Sequence, residues 1–414
     1  MKGTRPPRVL MIVEHLPLAR DERLRKQVKA LVSNGYQVTV ICRRDPANRA
    51  DNADPATNGV RIRDYRAPAE AGGALGFLRE YSYSWAIAAW LTLRTFLAEG
   101  FDAIQVSGNP DIYFTLGLPF KLLGKPLVFD QRDVAPETYE VRYGRRGLVY
   151  QVLRRLERAS YRAADHVVTV NRSLQRIAHA RGGVPVGRVT VAGNGPLLER
   201  TYRRNPRPEL KRGKPFLCVY LGVMGPQDRV DLALRAIHHL VHELGRRDCQ
   251  FAFVGDGEVR ESSVRLAEEL GISDWATFPG WAQEDEAFTY LSTADLGLEP
   301  NLEDYVSPVK GMEYMAFGLP FVAFDLTETR ELAAGAAAYA PPEDVPAFAA
   351  HINRLLDDSG ERAEMGRQGR RRVEETVAWD HQEAAYVQVY RRLLGQPELH
   401  SPRLTNRYGS RVSS

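Results

Sequence analysis

The sequence predicts an α/β protein with two doubly wound, parallel-sheet domains that face a cleft. Short apolar runs rich in β-branched residues alternate with amphipathic helical patterns, which is typical of parallel sheets with right-handed crossovers. The alternation breaks once, near residue 205, and then starts again. A chain of 414 residues with 44% apolar side chains is long enough for two such domains, each with its own core.

The first half opens with an apolar run, Arg8 to Glu14, that predicts a buried parallel strand. A helical pattern follows from about Asp21 to Asn34, and Gly35 suits its C-terminal end. The same alternation predicts strands at 37–42, 102–107, 126–130, 165–170 and 188–192, and a helix near 76–98. This last helix is so apolar that two interpretations stand: it covers the sheet, or it faces a membrane.

The second half follows the proline-punctuated connection from Arg203 to Pro208. It predicts strands at 216–222, 250–254, 275–278, 295–298, 320–324 and 336–340, and helices at 229–244, 259–270, 284–293 and 308–317. We therefore expect a first domain over residues 1–204 and a second over 205–378. A C-terminal helix over 379–398 is expected to pack back on the first domain, and residues 399–414 to form a flexible tail.

Composition excludes several classes of protein. Charged residues make up 26% of the chain and the mean hydropathy is −0.35, which argues against a polytopic membrane protein. The apolar run at 9–13 is too short for a secretory signal. Three cysteines, an odd number, fit a reducing compartment, so we expect a cytoplasmic protein that is either free or at the inner face of the membrane.

The net charge of +4 is unevenly distributed. Residues 141–214 hold 18 Lys and Arg against four acids, which makes this segment +14 and the rest of the chain −10. Residues 141–181 are expected to form a helix with Leu148, Val152, Leu156 and Ala159 on one face. Its arginines either face water or dock on an anionic membrane. Nucleic acid is not expected as a partner, because the segment lacks interleaved stacking aromatics.

Ligands in open α/β sheets bind beyond the carboxyl ends of the strands, so the loops there are the candidate sites. The loop at 222–229, GVMGPQDR, and the loop at 254–258, VGDGE, each hold two glycines that let the backbone approach a ligand closely. Taken singly, each could also be an ordinary tight turn.

The strongest signal is the segment at 304–323. Ser307 is a good N-cap and Pro308 a good first helical residue, so the free N–H groups of this helix start predict an anion site. Lys310 lies in the first turn, where a cation is unfavourable unless an anion is bound. Glu313 shares its face and could accept hydrogen bonds from a hydroxylated ligand. The alternative is a Lys–Glu pair on the helix surface.

No metal or cofactor is predicted. The sequence contains no Asp-x-Asp, so a metal-dependent donor site is not expected. His238 and His242 are one helical turn apart, but no third ligand or catalytic Glu follows at the spacing of a metalloprotease, and a helix surface is the better interpretation.

Taken together, these motifs resemble those of family 4 glycosyltransferases, which have the two-domain GT-B fold. The matching segments are GVMGPQD at 222–228, VGDG at 254–257, FPGW at 278–281, and SPVK at 307–310 running on through EYMAFGLP at 313–320. The first half matches more loosely, with DER at 21–23, DQRD at 130–133, PE at 136–137 and VAGNGP at 191–196. The resemblance implies a retaining, hexosyltransferase-like transfer from a nucleotide diphosphate-sugar to a hydroxyl of a glycan, lipid-linked or small-molecule acceptor. UDP is expected more than GDP.

The resemblance also implies roles for individual residues. The donor would contact Gly222, Val223, Gly225, Arg229, Gly255, Gly257, Gly280, Ser307, Lys310 and Glu313, with Glu313 on the ribose. The acceptor would contact Asp21, Arg23, Arg132 and Glu137. Lys310, Asp133 and His15 are the candidate catalytic residues. Asp133 and Glu137 could instead form loop-fixing salt bridges with Arg132 or Arg142, and His15 could be a hydrogen-bonded loop histidine.

Three departures from the family pattern bear on activity. Val223 and Asp228 stand where many members carry Arg and Lys on the diphosphate. Either Glu299 or Tyr305 must serve where the first Glu of the family's Glu-x7-Glu pair would contact the donor sugar, since Tyr305 is the residue eight positions before Glu313. Arg132 stands where relatives often have a His. Two alternatives to a transferase follow: a nucleotide-sugar epimerase of the same fold, and a non-catalytic protein that binds nucleotide-sugars.

Overall fold

Two parallel sheets organise the chain, as the alternation of strands and helices predicts. The computed structural model describes residues 5–48, 60–68, 74–108 and 111–397, without the side chains at 74–75 and 77–78. The predicted tail at 399–414 lies outside these residues. Counted along the chain within each sheet, the strand order is 3-2-1-4-5-6, with a seventh strand added to the first sheet. This is the doubly wound order, in which ligands bind beside the first and fourth strands.

The first sheet has the order β3-β2-β1-β4-β5-β6-β7. Its strands are β1 (Arg8–Ile12), β2 (Gln37–Arg43), β3 (Val60–Tyr65), β4 (Ala103–Ser107), β5 (Leu127–Gln131), β6 (His166–Thr169) and β7 (Val189–Val191). Its helices are α1 (Glu22–Ser33), α2 (Ala74–Ala98), α3 (Phe114–Lys121), α4 (Ala135–Tyr143), α5 (Leu148–Ala163) and α6 (Arg172–Gly182).

The predicted helix over 141–181 is wrong. The chain leaves α5 after Ala163 and becomes extended at Ala164, and the Asp165 carboxylate accepts a hydrogen bond from the backbone N–H of Leu127. This contact starts β6, which therefore separates α5 from α6. Residues 148–182 therefore form α5, the buried strand β6 and α6 rather than one helix.

Alternate residues of β1 point to the two faces of the sheet. Val9 and Met11 pack against α1, whereas Leu10 and Ile12 pack on the opposite face, under α2, α3 and α5. α2 therefore covers the sheet along one of its sides. Among the described residues, no helix has both the length and the apolar character needed to cross a membrane.

The second sheet has the order β10-β9-β8-β11-β12-β13. Its strands are β8 (Phe216–Leu221), β9 (Cys249–Val254), β10 (Ala276–Gly280), β11 (Leu296–Glu299), β12 (Phe321–Phe324) and β13 (Ala337–Ala340). Its helices are α7 (Val230–His238), α8 (Arg260–Glu269), α9 (Glu284–Thr293), α10 (Val309–Ala316), α11 (Thr327–Ala333), α12 (Val345–Asp357) and α13 (Ser359–Arg372). The predicted helix at 229–244 ends at His238 and continues as one wider π-helical stretch, His239–Glu243.

The last helix, α14 (Trp379–Leu393), returns to the first sheet. Trp379, Tyr386 and Tyr390 are buried in the same cluster as Val9 and Met11 of β1. The Tyr386 hydroxyl donates to the buried side-chain amide of Gln105 on β4 at 2.7 Å. The helix α14 is thus part of the core of the first lobe.

Candidate active site

The carboxyl ends of the two sheets enclose a cavity of about 290 Å³. From the first lobe, Glu22, Asn194 and Pro196 line it. The second lobe contributes glycines, apolar side chains and a carboxyl group: Gly222, Gly255, Trp281, Phe288, Met312 and Glu313. Of the predicted donor-binding residues, the cavity brings together Gly222, Gly255 and Glu313.

The floor of the cavity is formed by two turns that only glycine allows. Gly222 follows β8 and Gly255 follows β9, and both have a φ of 140°, a conformation that residues with a Cβ rarely adopt. A Cβ on Gly255 would lie 1.9 Å from the carbonyl oxygen of Gly222. The turns are locked in register by bonds from Gly222 N–H to Val254 O and from Gly255 N–H to Gly280 O, at 2.9 and 2.8 Å.

α10 begins one residue later than predicted. Its N-cap is Pro308 and its first residue is Val309, and Ser307 makes no capping bond. The Ser307 hydroxyl instead accepts a hydrogen bond from the side-chain amide of Asn171 at 3.1 Å. Since the same amide group donates to the carbonyl of Tyr305, at 2.8 Å, Asn171 ties the first lobe to the segment before α10.

Lys310 lies directly beneath the first glycine turn. A Cβ on Gly222 would be 3.1 Å from the Cε of Lys310. The ammonium group is bonded to Asp228 at 2.6 Å and lies 3.7 Å from the Glu299 carboxylate. Although burial opposes it, these two carboxylates raise the pKa of Lys310 above its usual range. The cation in the first turn of α10 thus has two internal counter-ions.

Glu299 ends β11 and points at the start of α10. It is 2% exposed, and its Oε2 atom has no hydrogen-bond partner within the described residues. Burial raises its pKa, while Lys310 and a backbone hydrogen bond from Gly311 act in the opposite direction. An internal carboxyl group therefore occupies the helix start where the sequence predicts an external anion. Tyr305, the other candidate for the position of the family's first Glu, packs instead against Val134 and Leu174 of the first lobe.

Glu313 faces the cavity one turn further along α10. Its carboxyl group forms no hydrogen bond with a described residue. Desolvation, together with the nearby charges of Glu22 and Glu284, raises its pKa to about 8, although Lys26 and Lys310 oppose the rise. A carboxyl group with free acceptor positions in a partly dry cavity can take hydrogen bonds from ligand hydroxyls.

The remaining predicted donor residues lie around the cavity rather than in its lining. Gly225 donates its N–H to Asp228 at 3.0 Å, and Val223 is exposed. Gly257 packs against the backbone of Met224, and Gly280 precedes the lining residue Trp281. The guanidinium of Arg229 pairs with Asp231 at 3.1 Å and Glu343 at 3.5 Å.

Asp21, Arg23 and Arg132, predicted to contact the acceptor, contact one another through a buried ion network. Asp130 is fully buried, at 2.8 Å from Arg23 and 2.9 Å from Arg132. Arg132 also pairs with Asp21, which caps α1 by accepting from Leu24 N–H at 2.9 Å. Burial would raise the pKa of Asp130, but its two arginines lower it to about 2. These groups hold α1, β5 and the 130–133 loop together, and their contact with an acceptor remains a prediction.

His15 and Asp133 stand beside this network. Burial and the charge of Arg132 lower the pKa of His15 to about 4, so the imidazole is neutral near pH 7. Its Nδ1 atom is buried without a partner in the described part of the chain. Part of the Asp133 side chain is exposed to solvent. Desolvation by the surrounding protein nevertheless raises the pKa of its carboxyl group. Their catalytic roles remain predictions.

Glu137 pairs with neither of the expected arginines. Its carboxylate binds Arg181 of α6 at 2.5 Å, while Arg142 binds Glu258 of the second lobe at 3.2 Å. Many other basic residues of the 141–214 segment are also paired with acids from outside it, among them Arg176 with Glu331, Arg200 with Glu284, Arg204 with Asp285 and Lys211 with Asp295. Much of the predicted excess charge is thus balanced in three dimensions.

Sequence reasoning did not identify the pairing of Arg43 with two buried acids beside the cleft. Arg43 ends β2 and binds Glu14 after β1 and Glu80 in α2, at 2.5 and 2.7 Å. No local pattern in the sequence joins these positions, because the parallel pairing of β1 and β2 brings Arg43 beside Glu14 and the packing of α2 adds Glu80. By contrast, Trp281, which lines the cavity, is the last residue of the FPGW motif that contributes to the family resemblance.

The described residues contain no group of three or more His, Cys, Asp or Glu side chains placed to hold a metal ion. His238 and His242 each bond a backbone carbonyl, of Leu270 at 2.9 Å and of Gly271 at 3.1 Å.

Part of the chain is similar in sequence to curated proteins. Over 173 residues the chain is 30% identical to an MMP alpha-(1->4)-mannosyltransferase of Mycolicibacterium hassiacum, covering 40% of this chain and 42% of that protein. Over 171 residues it is 28% identical to an alpha-D-kanosaminyltransferase of Streptomyces kanamyceticus, covering 41% of each. The chain thus spans about two fifths of the length of these relatives.

Solved structures share the whole architecture. A sucrose-phosphate synthase of Thermosynechococcus elongatus superimposes with a TM-score of 0.77 at 18% identity, over 94% of this chain and 99% of that one. Anabaena HepE in complex with UDP-glucose gives a TM-score of 0.70 at 15% identity, over 92% and 99%.

Two family models match consecutive parts of the chain: "Glycosyl transferase 4-like domain" at residues 21–195 and "Glycosyl transferases group 1" at residues 215–358. The first covers the lobe that holds the buried ion network, and the second covers the lobe that holds the glycine turns and Glu313. With both models in the expected order on two parallel, doubly wound sheets, the chain belongs to the family 4 glycosyltransferases of GT-B fold.

Proposed function

We propose that this chain is a retaining glycosyltransferase that moves a sugar from a nucleotide diphosphate-sugar to an acceptor hydroxyl. The observation that carries the proposal is the cavity at the cleft floor. There, two glycine turns expose backbone to a ligand, and Glu313 presents a carboxyl group with free acceptor positions. Donor binding requires both features, because the diphosphate must approach the backbone closely and the hydroxyls of the pentose need hydrogen-bond acceptors.

UDP is the proposed carrier, ahead of GDP. The fold neighbour HepE has been solved with UDP and with UDP-glucose, which supports a uridine nucleotide for this chain. The named relatives transfer mannosyl and kanosaminyl groups, which supports a hexose as the moiety transferred. The acceptor is proposed to lie against the first lobe, as a hydroxyl of a glycan, a lipid-linked sugar or a small molecule.

In the proposed reaction the acceptor oxygen bonds to the anomeric carbon on the face from which the diphosphate leaves. The bond between that carbon and the phosphate oxygen breaks, and the departing phosphate takes the acceptor proton. No enzyme nucleophile and no cofactor are needed. Asp133 orients the acceptor hydroxyl, and neutral His15 offers a ring nitrogen beside it.

Negative charge develops on the leaving diphosphate, so preorganised donors there lower the barrier most. Lys310 is the proposed donor, together with the backbone N–H groups of the glycine turns. Since its ammonium group is held by Asp228 at 2.6 Å, the incoming diphosphate must replace Asp228 as its partner. Ligand binding therefore has an internal competitor.

A second candidate is a non-catalytic protein that binds nucleotide-sugars. The specific observation that favours it is the same pairing, because Asp228 neutralises the cation nearest to the diphosphate site. A third candidate function is that of a nucleotide-sugar epimerase of the same fold, which rearranges its donor without an acceptor.

Product analysis separates these functions. The protein is incubated with UDP-sugars and GDP-sugars, alone and with hydroxyl acceptors, after a thermal-shift screen of the free nucleotides. A transferase gives sugar-acceptor product together with free nucleotide diphosphate. Turnover without acceptor indicates an epimerase or hydrolase. Nucleotide binding with no turnover indicates the non-catalytic function and contradicts the transferase.

A further inference from the structure

The outward face of α2 carries large apolar side chains, as does the face that covers the sheet. Tyr83, Ala86, Trp90, Leu93 and Leu97 project from it at helical spacing and are exposed, with Trp90 57% and Leu97 76% exposed. Two arginines, Arg79 and Arg94, are exposed on this side of the helix, and Arg94 lies over the Trp90 ring, 5.3 Å from its centroid.

The inward face of α2 is mixed, because Ala88 and Leu91 belong to the core cluster beneath the helix and lie beside buried polar side chains. Ser84, Thr92 and Thr95 are buried against the sheet, and the two threonine hydroxyls donate to carbonyls one turn earlier in the helix at 2.7 Å. A surface helix of a water-soluble domain normally buries its apolar stripe and exposes its polar one. Since α2 has large apolar side chains on its outer stripe as well as in the core, the outer stripe is suited to an apolar surrounding.

The neighbouring helix α3 extends this surface. Leu118, Leu122 and Leu123 are exposed along it and just beyond its end, with Leu122 90% exposed. A hydrogen bond of 2.8 Å from the Trp85 indole to the Thr115 hydroxyl joins α2 to α3. Exposed apolar side chains on two adjoining helices are typical of a site that contacts a partner or a membrane.

The third helix of this layer, α5, adds positive charge. Its outward face begins with Leu148, Val149 and Val152 and continues with Arg155, Arg158 and Arg162, all exposed. Arg158 donates to a backbone carbonyl, and Arg155 and Arg162 form no ion pair with a described residue. Within the described residues of α2, α3 and α5, no exposed side chain is an Asp or Glu.

We propose that this α2–α3–α5 face binds the surface of an anionic lipid bilayer. Its Trp, Tyr and Leu side chains enter the boundary between head groups and acyl chains, and the arginines of α5 pair with lipid phosphates. Because the described part of the face exposes no Asp or Glu, no acidic side chain there would repel a negatively charged lipid surface. A water-soluble protein partner would need no such one-sided charge.

The face also reaches the acceptor side of the cleft. The N-terminus of α5 follows α4, which lies against the 226–228 turn and whose Arg142 bonds Glu258 across the cleft. A lipid-linked acceptor held in the bilayer would thus be presented to the first lobe. This last step rests on the proposed function, whereas lipid binding itself does not.

Vesicle sedimentation tests the proposal without donor, acceptor or turnover. The whole protein is mixed with vesicles of phosphatidylcholine containing phosphatidylglycerol, and with vesicles of phosphatidylcholine alone, at low and high salt. We expect binding to the anionic vesicles that weakens with salt and that falls at least tenfold in the double variant Trp90→Gln, Leu97→Gln. The matched control is Leu244→Gln, which changes an exposed leucine of the second lobe.

A second pair of variants tests the charge. Arg155→Ser with Arg162→Ser should lower binding several-fold and flatten its salt dependence, whereas Arg235→Ser with Arg265→Ser, exposed arginines of the second lobe, should not. Circular dichroism establishes that each variant is folded. The proposal is overturned if the folded protein ignores anionic vesicles at low salt, or if the Trp90 and Leu97 changes leave binding intact. It is also overturned if light scattering shows that this face joins two copies of the chain.

Discussion

Glu313 is the residue on which donor binding is proposed to depend most. Burial beside other acids raises its pKa to about 8, so near pH 7 only about a tenth of the carboxyl groups are ionised. Ribose hydroxyls donate best to the ionised form. We therefore expect UDP to bind about tenfold more tightly at pH 9 than at pH 7, with proton release on binding at pH 7. Calorimetry in buffers of different ionisation enthalpy measures both.

The control for this prediction is Glu313→Gln, which keeps the shape but cannot ionise. It should bind UDP more weakly, without the rise in affinity through pH 8. If wild type and variant share one pH profile, Glu313 does not hold the ligand.

The ion pair between Lys310 and Asp228 predicts opposite effects when one or the other partner is changed. Asp228→Asn removes the carboxylate that competes with the diphosphate, so the KM for the donor should fall several-fold. Lys310→Ala should lower turnover about 100-fold or more, in line with the roughly 2.7–4 kcal/mol lost with one preorganised donor. Lys310→Arg should restore little, because a guanidinium does not reproduce the ammonium geometry.

Steady-state kinetics on folded variants checks both substitutions. Near-normal turnover in Lys310→Ala would remove this residue from the mechanism. A higher donor KM in Asp228→Asn would show that Asp228 positions Lys310 rather than competing for it.

At the scale of elements, the glycine turns after β8 and β9 form a unit that a single Cβ disrupts. In Gly255→Ala the new atom would stand 1.9 Å from the carbonyl oxygen of Gly222, at a φ of 140°. We expect the free energy of unfolding to drop by more than about 3 kcal/mol. Gly213→Ala is the matched control: it also has a positive φ, but nothing lies within 4 Å, and it should cost roughly 1–2 kcal/mol. Equal losses in denaturant titrations would contradict the close approach.

Helices and strands are predicted well where neighbouring residues in the sequence carry a clear apolar pattern, and poorly where they do not. The buried strands of both sheets carry continuous apolar runs and are predicted within a residue or two. The edge strand β3 has charged residues at alternate positions, and α3 contains a glycine and Pro119, so neither produces a strong pattern. The anion site at α10 is predicted from local signals, but Asp228 lies 82 residues from Lys310, and only the fold shows that they meet.

At the scale of the molecule, α14 fixes the C-terminal segment of the chain to the first lobe. Trp379 is 2% exposed and packs beside residues of β1 and α1. We expect Trp379→Ala to cost roughly 3–5 kcal/mol of unfolding free energy, the usual range for a buried aromatic side chain. Val186→Ala, at an exposed position, should stay within about 0.5 kcal/mol of wild type. Denaturant titration followed by circular dichroism measures both, and a small loss for Trp379→Ala would mean that α14 is only loosely attached.

The whole molecule is a pair of lobes that together build one ligand cavity, with Glu22 and Asn194 contributed by the first and Glu313 by the second. A crystal structure of the protein grown with UDP tests this most directly. We predict that the diphosphate lies against the turns of Gly222 and Gly255, with the ribose hydroxyls within hydrogen-bond distance of the Glu313 carboxylate. A nucleotide bound outside this cavity, or a cavity left empty at saturating UDP and GDP, would contradict the account.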